Sequence, residues 1–319
     1  MDGLRSSLRR GFCLAWLLLG AAGGLGVLTT RAAEPKLPAG RVLFIGIDGC
    51  RFDAIEKAKT PNLDRLVADG CYSDRTLILG KRYRRSDTVS GPGWTSLLTG
   101  VWADKHGVDD NKFRDPHLNR YPHFFRRVKQ ADFKESTISI ASWPPISEVI
   151  VSNADVNHLS PHDDLYVPGD RESAKLAIDM LRGANPVAMF VYFGQVDEHG
   201  HKYGFSPDVP EYVAAIERVD EHIGTVVKAL ENRKHYAEEN WLVLVSSDHS
   251  GLGKDHGGGH SKPEILNSFV IVSGNAAKRG TIQEQTYIVD VPVTALTHLG
   301  VPLDPKWELD GKPIGLKTR

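Results

Sequence analysis

The chain has 319 residues, of which 41% are hydrophobic and 25% are charged. This is the composition of an ordinary globular protein, and it excludes a disordered, collagen-like or coiled-coil chain. Lys and Arg total 39 against 40 Asp and Glu, so the net charge of −1 gives no reason to expect binding to a nucleic-acid duplex.

The first 33 residues have the features of a secretory signal. Arg5, Arg9 and Arg10 precede an apolar run at residues 12–28, and small residues suited to cleavage follow, ending at Ala33. Cleavage there would leave a mildly acidic chain with 35 basic and 39 acidic residues. The alternative is an uncleaved anchor, since about 17 apolar residues is the lower limit for a spanning helix. We predict a secreted or periplasmic protein that contacts a membrane only if this segment stays uncleaved.

Residues 34–319 are expected to form a single domain, because the sequence contains no internal repeat and no low-complexity linker. Of the three cysteines, Cys13 falls in the leader. Cys50 and Cys71 remain, and they make one disulfide possible without implying it.

Short apolar runs predict four strands that are covered on both faces. They lie at residues 42–47, 137–141, 187–193 and 241–245. Helical patterns separate them, the clearest at residues 210–234, where apolar residues recur at helical spacing. A shorter helix is predicted with Thr60 as its cap, Pro61 in its first turn and its end at Gly70. The alternation predicts an α/β fold: a doubly wound, mostly parallel sheet with helices on both faces.

Acidic residues follow three of these four strands. Asp48, Asp197 and Asp248 each come within a few residues of a strand end. In a doubly wound sheet, functional groups collect beyond the carboxyl ends of the strands. One such Asp is ordinarily a turn or a helix cap. Three of them, two with histidines close behind, instead indicate a functional site.

Carboxylates and imidazoles occur together in the second half of the chain. The candidates are Asp197 with His201, Asp248 with His249, and His256 and His260 in the Gly-rich loop at residues 251–260. Oxygen and imidazole nitrogen suit zinc, and the near absence of thiols argues against a cysteine-based structural site. With Asp48 the set exceeds the needs of one tetrahedral ion. We therefore predict two divalent metal ions, zinc by preference, about 3.5–4 Å apart. Taken singly, these histidines would be interpreted as surface residues.

Ser90 is the candidate nucleophile. Gly91, Pro92 and Gly93 predict a tight exposed turn, and residues 94–99 predict a short helix after it. A hydroxyl would then stand at a helix amino end, where backbone N–H groups favour an anion. It becomes a nucleophile only when a base or a metal takes its proton. The alternative for Ser90 is a plain helix cap.

Several charged residues near these motifs have more than one possible role. Residues 81–85 contain four cations, which form either a solvated loop or a cationic lip that attracts phosphate. His199 and Lys254 are further candidates for an approach to the site. Loops around Tyr83 and at residues 144–170 are expected to determine specificity.

Taken in order, these motifs resemble the alkaline phosphatase superfamily and, within it, the type I phosphodiesterase/nucleotide pyrophosphatase branch. The resemblance runs from about Arg41 to Ile314. Its markers are residues 47–49, 92–111, Asp197 with 200–204, 247–249 and 309–313.

The resemblance implies ligands for both metal ions. One zinc would be held by Asp48, Asp248 and His249, with the nucleophile oxygen of Ser90 as the remaining ligand. The second would take Asp197, His201 and a histidine of the Gly-rich loop. His256 is preferred to His260 because a histidine followed by Gly is the commoner family form.

The resemblance also assigns the catalytic residues. It puts the nucleophile at Ser90 rather than Thr88, which is a departure because the family has threonine there. Asn111, 21 residues later, corresponds to the asparagine that binds a non-bridging phosphate oxygen, and a plain turn residue is the alternative. A backbone N–H near Ser90 is expected to share that task.

The implied activity is hydrolysis of a small phosphoester, preferably a phosphodiester, through two displacements at phosphorus. A phosphomonoesterase of the same superfamily is less favoured, because such enzymes use an arginine and Asn111 is neutral. A sulfatase would need formylglycine in a Cys/Ser-x-Pro-x-Arg segment, and Trp94 replaces the arginine. A secreted zinc-binding module is the non-enzyme alternative, although structural zinc sites are usually closed.

Overall fold

The structure, a computed structural model, describes residues 40–80 and 85–318. The predicted leader at residues 1–33, with Cys13, lies outside the described residues, as do residues 81–84 of the basic run. In the described ranges, no helix combines the length and the apolar character needed to cross a membrane. The same ranges belong to one compact unit. The boundary between leader and domain stays a prediction.

A nine-stranded sheet lies at the centre of the described part of the chain. Its strands are β1 (Gly40–Ile47), β2 (Gly70–Leu77), β3 (Ser136–Ala141), β4 (Val156–Leu159), β5 (Pro186–Phe193), β6 (Asn240–Ser246), β7 (Asn267–Gly274), β8 (Gly280–Thr281) and β9 (Thr286–Tyr287). Their order is β4-β3-β5-β1-β6-β7-β2-β8, with β9 paired to β2. The first five strands in this order, β4, β3, β5, β1 and β6, are parallel to one another. Strand β7 is antiparallel to β6 and β2.

Ten α-helices connect these strands in the described ranges. They are α1 (Phe52–Lys57), α2 (Pro61–Ala68), α3 (Ser90–Thr99), α4 (Ala103–His106), α5 (Phe124–Gln130), α6 (Val167–Gly183), α7 (Gln195–Tyr203), α8 (Pro210–Glu231), α9 (Pro263–Leu266) and α10 (Asp290–Leu299). A π-helical turn covers Ile146–Ile150, and 3₁₀ turns cover Tyr236–Glu238 and Pro305–Trp307.

Strand β1 is apolar throughout because both of its faces are covered. Val42 and Phe44 point into a core shared with α3, α5 and α10. Leu43 and Ile45 point into a second core shared with α2, α6 and α8. Successive strand residues face opposite sides of a sheet, so a strand between two helical layers needs an unbroken apolar run. The predicted α/β fold, with a mostly parallel sheet and helices on both faces, is confirmed.

The four predicted strands are present as β1, β3, β5 and β6, each extended by one or two residues. Strands β2 and β7 were not predicted, nor were the short strands β4, β8 and β9. Strand β2 lies towards an edge of the sheet, has two exposed residues and changes register between Ser73 and Thr76. Its polar residues mask the alternation that would reveal it. Strand β7 is buried, but its apolar run at residues 269–272 is short and flanked by serines.

Three predicted helices differ from the structure at their ends. The helix expected at residues 94–99 begins at Ser90, so residues 91–93, expected to form an exposed turn, are helical and buried. The helix expected at residues 210–234 ends at Glu231. The helix expected to end at Gly70 ends at Ala68, and Gly70 begins β2. Thr60 precedes that helix, but its hydroxyl makes no capping bond. It donates instead to the carbonyl of Ile55, at 3.4 Å.

Cys50 and Cys71 are both buried and both free thiols. The disulfide that the sequence left possible is therefore not formed. Burial raises the pKa of each thiol above its ordinary value, so neither is a reactive thiolate at neutral pH.

Candidate metal and catalytic site

The three predicted carboxylates meet at the carboxyl ends of three adjacent parallel strands. Strand β1 is hydrogen-bonded to β5 on one side and to β6 on the other, all parallel. Asp48 directly follows β1, Asp197 lies in the first turn of α7 after β5, and Asp248 comes two residues after β6. All three side chains are buried. The parallel topology thus gathers residues that are up to 200 positions apart in the chain.

Three histidines converge on these carboxylates with a common orientation. Each donates its Nδ1–H to a main-chain carbonyl, because a carbonyl can only accept. The pairs are His201 with Lys254 at 3.0 Å, His249 with Ser250 at 3.1 Å, and His256 with Thr88 at 3.0 Å. The Nδ1 bond fixes the tautomer and leaves the Nε2 lone pair free for a metal.

The Nε2 atoms define two neighbouring groups of candidate ligands. In the first, His249 Nε2 lies 3.4 Å from both Asp48 Oδ1 and Asp248 Oδ2. In the second, His201 Nε2 lies 3.3 Å from Asp197 Oδ2, and His256 Nε2 lies 3.0 Å from His201 Nε2. His249 is also near the second group, because a ligand atom of His249 lies within 4.8 Å of atoms of Asp197 and His256.

The donors of this site fit divalent cations. Among the residues that the structure describes, Asp197 Oδ1 and Asp248 Oδ2 are buried without a hydrogen-bond partner. Burial, together with the charge of Asp197, raises the pKa of Asp48 to about 6. Burial and the charges of Asp48 and Asp197 raise the pKa of Asp248 well above its ordinary value. Buried carboxylates in such proximity need a compensating positive charge, and the imidazole lone pairs beside them suit zinc.

Ser90 lies next to the first group as the first residue of α3. Its Oγ lies 3.2 Å from His249 Nε2 and 3.5 Å from Asp48 Oδ1. The helix can approach this closely because Gly93 has no side chain. A Cβ there would lie 2.9 Å from the carbonyl oxygen of Asp248. Val89, not Ser90, occupies the N-cap position, and its side chain makes no capping bond.

Asn111 lies beside the first turn of α3. Its Oδ1 accepts a hydrogen bond of 2.6 Å from the backbone N–H of Gly91. This bond fixes the amide so that Nδ2 is the side-chain atom left to donate. The expectation that a backbone N–H near Ser90 would bind substrate is not met by Gly91, because Asn111 already occupies that N–H.

Two residues of the site were not found from the sequence. Asp48 Oδ2 accepts hydrogen bonds from Trp94 Nε1 at 2.9 Å and from the Tyr192 hydroxyl at 2.7 Å. The Trp94 ring fills the space above Gly46, where a Cβ would lie 2.4 Å from the ring. Both residues look like core residues in the sequence, and no motif marks their polar atoms. They occupy Oδ2 and leave Oδ1 of Asp48 facing Ser90.

Other predicted candidates point elsewhere. His260 Nε2 donates to the carbonyl of Ser86 at 2.9 Å, so His256 and not His260 contributes to the cluster. His199 Nε2 accepts from Arg218 at 2.9 Å. Lys254 Nζ donates to the carbonyl of Lys202 at 2.8 Å.

Comparison with known proteins points to one family. Residues 42–270 match the family model described as type I phosphodiesterase / nucleotide pyrophosphatase. Human ectonucleotide pyrophosphatase/phosphodiesterase family member 5 is 25% identical over 255 residues, covering 75% of this chain and 49% of that protein. Bovine bis(5'-adenosyl)-triphosphatase ENPP4 is 24% identical over 239 residues, covering 69% and 48%. The chain thus spans about half the length of these curated relatives.

Solved structures share the fold at low sequence identity. The murine ectonucleotide pyrophosphatase/phosphodiesterase 5, as an inactive variant in complex with AMP, superposes with a TM-score of 0.64 at 16% identity, covering 83% of this chain and 96% of that one. A 2-O GAG sulfatase gives a TM-score of 0.65 at 12% identity, covering 88% and 73%. At these identities the likeness supports the fold and leaves the chemistry to the site.

Proposed function

Because the chain belongs to the type I phosphodiesterase/nucleotide pyrophosphatase family, we propose that it is a metal-dependent hydrolase of phosphoric esters, with phosphodiesters as its preferred substrates. The observation that carries this proposal is the position of Ser90. Its hydroxyl oxygen lies 3.2 Å from His249 and 3.5 Å from Asp48, in contact with the buried first group of candidate ligands. A hydroxyl in this position is placed for nucleophilic attack rather than for helix capping.

The two groups divide the ligands between two divalent cations, zinc by preference. Asp48, Asp248 and His249 would hold one ion together with the Ser90 oxygen. Asp197, His201 and His256 would hold the other. When bound, two such ions supply Lewis acidity that activates a hydroxyl or water and neutralises charge on the phosphoryl oxygens.

Ser90 then carries the phosphoryl group between two displacements. Its Oγ loses its proton and attacks phosphorus, while the ester bond to the leaving alcohol breaks in line and that oxygen gains a proton. Water next attacks the phosphorus of the phosphoseryl ester, and the bond to Ser90 Oγ breaks. The hydroxyl of Ser90 is restored when it takes up a proton.

Asn111 would bind a non-bridging phosphate oxygen through Nδ2, the amide atom that its bond to Gly91 leaves free. One such donor typically contributes about 3–4 kcal/mol to the stabilisation of a transition state. The amide is neutral, so it matches the single charge of a phosphodiester better than the two charges of a monoester.

The proposed preference is tested with two chromogenic esters. We expect kcat/KM for bis-p-nitrophenyl phosphate to exceed that for p-nitrophenyl phosphate at least tenfold in the zinc-loaded protein. The reverse order would assign the chain to phosphomonoester hydrolysis. Small nucleotide esters are the first natural substrates to examine, since one relative is named a bis(5'-adenosyl)-triphosphatase and one neighbouring structure contains AMP.

Sulfuryl transfer is the nearest enzymatic alternative, and it depends on modification of Ser90 to formylglycine. Trp94 stands where that modification segment has its arginine, and its indole N–H donates a hydrogen bond to Asp48. We expect the peptide that contains Ser90 to have its unmodified mass. A mass lower by two hydrogen atoms would support a sulfatase.

We also propose that residues 1–33 are a signal peptide and that residues 34–319 form the secreted or periplasmic mature domain. The support is the pattern of arginines, apolar run and small residues in that segment. Sequencing the amino terminus of the protein exported by its host should find Glu34 first. Retention of Met1 on membrane-bound protein would support an anchor instead.

A further inference from the structure

Thr88 is a buried threonine two residues before the nucleophile that the proposed reaction does not use. It is 1% exposed, and its hydroxyl bonds the main chain of the Gly-rich loop that carries His256. The Thr88 Oγ1 donates to the carbonyl oxygen of His256 at 2.5 Å and accepts from the backbone N–H of Gly259 at 2.8 Å. One hydroxyl therefore bonds the loop on both sides of the turn that follows His256.

The main chain on both sides of Thr88 extends this contact. The carbonyl of Thr88 accepts the Nδ1–H of His256 at 3.0 Å. Asp87 Oδ1 accepts from the N–H of Gly258 at 2.7 Å, and the carbonyl of Ser86 accepts from His260 Nε2 at 2.9 Å. Residues 86–88 thus bind residues 256–260 through five hydrogen bonds. We call this set of contacts the loop clamp.

The Gly-rich loop needs an external restraint of this kind. Three consecutive glycines follow His256, and Gly258 has a φ of +61°. Glycine has more backbone freedom than any other residue, so such a loop does not define its own shape. The position of the His256 imidazole is then set by what the loop binds. Around His256 the loop is bound by the segment that leads directly into Ser90, and its earlier part is also bound by His201, Lys202 and Phe205.

We propose that Thr88 is a positioning residue that holds His256 in the geometry required to bind the second divalent cation. This inference rests on the proposed function, since it assigns His256 to that ion together with Asp197 and His201. Partners that orient a ligating histidine typically contribute about 10- to 100-fold to metal affinity. Thr88 also links that ion's site to the nucleophile, because the same segment supplies both the clamp and Ser90.

The test compares Thr88→Val with Thr88→Ser. Valine keeps the shape of threonine but removes both hydroxyl bonds, whereas serine keeps the hydroxyl. The metal-free protein is titrated with Zn²⁺ in competition with a chromophoric chelator, which reports the affinity of each ion without reference to turnover. We expect Thr88→Val to weaken one of the two zinc affinities about 10- to 100-fold and to leave the other within about threefold. Thr88→Ser should bind both zinc ions with the affinities of the unmodified protein.

Thr294→Val is the matched control for loss of stability. The buried Thr294 hydroxyl has the same two kinds of bond, because it donates to the carbonyl of Asp290 at 2.8 Å and accepts from the N–H of Ile314 at 3.0 Å. It lies on α10 and bonds to no candidate ligand through that hydroxyl. The thermal unfolding temperature should fall similarly in the two valine variants, while zinc affinity should fall in Thr88→Val alone.

Asp87→Ala provides a second variant in case Thr88→Val does not fold. It removes the bond to Gly258 and should weaken the same zinc affinity by a smaller factor.

The outcomes separate this inference from the function it rests on. If the unmodified protein binds fewer than two zinc ions, the proposed function fails. If it binds two and the Thr88→Val protein binds both with unchanged affinity, only the inference is overturned. The inference is also overturned if Thr88→Ser loses as much affinity as Thr88→Val, or if Thr88→Val does not fold and Asp87→Ala binds both ions normally.

Discussion

Ser90 is the residue on which the proposed chemistry depends, and its replacement separates catalysis from metal binding. In Ser90→Ala the attacking oxygen is absent, while the buried carboxylates and imidazoles around it remain. We expect kcat to fall by about four orders of magnitude or more, with zinc content nearly unchanged. Hydrolysis of bis-p-nitrophenyl phosphate and elemental analysis of the same preparation measure the two quantities.

Ser90→Thr is the control for this variant, because it keeps a hydroxyl and should keep measurable turnover. Normal turnover by the alanine protein would remove Ser90 from the mechanism.

Trp94 is the second residue whose role can be isolated. Its indole N–H and the Tyr192 hydroxyl both donate to Asp48 Oδ2, so they orient Asp48 Oδ1 towards Ser90. In Trp94→Phe an aromatic ring still fills the space above Gly46, but the donor is lost. We expect one zinc affinity to weaken about tenfold. Competition titration with a chelator measures it.

Tyr192→Phe removes the other donor to the same oxygen and should weaken the same affinity. Trp102→Phe, on a buried tryptophan that packs edge-on against Tyr287, should leave both affinities unaltered. Equal affinities in the Trp94→Phe and unmodified proteins would show that the indole bond does not orient Asp48.

The sequence predicted which ligands pair better than it predicted the helix and the loop that carry them. Asp197 and His201, which the sequence analysis paired as candidate ligands, are four residues apart and point one way. They do so because Gln195–Tyr203 is a helix, on which residues at i and i+4 share a face. The family resemblance already favoured His256, but the direction of its imidazole required the structure, because a loop of glycines has no periodicity from which to predict where its histidine points.

The end of the sheet opposite the site contains a half-buried charge cluster beside β6. Glu239 accepts from Arg233 at 2.8 Å and from the Trp241 indole at 2.7 Å, and Arg41 lies 3.6 Å away. The hydrogen bond from Arg233 lowers the pKa of Glu239 from 4.5 to about 2, against the opposing effect of burial. The charged carboxylate is therefore favoured in the folded state. Its stabilising contribution is full above about pH 4.5 and is lost as the pH falls towards about 2.

Glu239→Gln should lower the free energy of unfolding at pH 7 by about 2 kcal/mol, because two half-buried guanidinium groups lose their counter-charge. The difference from the unmodified protein should shrink below about pH 4.5. Urea unfolding of metal-free protein at several pH values measures both effects. Glu238→Gln, at the neighbouring exposed residue, is the control. A difference that stays constant down to about pH 2.5 would contradict this account of Glu239.

In the whole molecule, the sequence predicted four of the five adjacent parallel strands, missing β4, and did not predict β2 or β7 on the antiparallel side. Strands β1, β3, β5 and β6 are apolar because helices cover both of their faces. Three of those strands lead directly to Asp48, Asp197 and Asp248. The position of the site at the carboxyl ends of these strands could therefore be predicted together with the strands. Strand β7 reverses direction next to β6, and such a reversal depends on long-range pairing that no local pattern encodes.

The two hydrophobic cores extend far from the site, so the fold should not depend on the metal ions. Treatment with a chelator should abolish hydrolysis while the far-ultraviolet circular dichroism stays native. Adding zinc back should restore activity and raise the unfolding temperature. Each ion that binds only the folded state contributes about 2.7 kcal/mol when free zinc is about 100 times its Kd. Unfolding on metal removal would instead support a structural zinc module.

We propose that two ions lie beside Ser90. One is held by Asp48, Asp248 and His249, and the other by Asp197, His201 and His256. Anomalous diffraction from zinc-soaked crystals, collected at the zinc absorption edge, locates those ions directly. We predict two peaks about 3.5–4 Å apart, each contacted by its own three side chains and one of them next to Ser90 Oγ. A single peak, or peaks bound by other residues, would contradict the account.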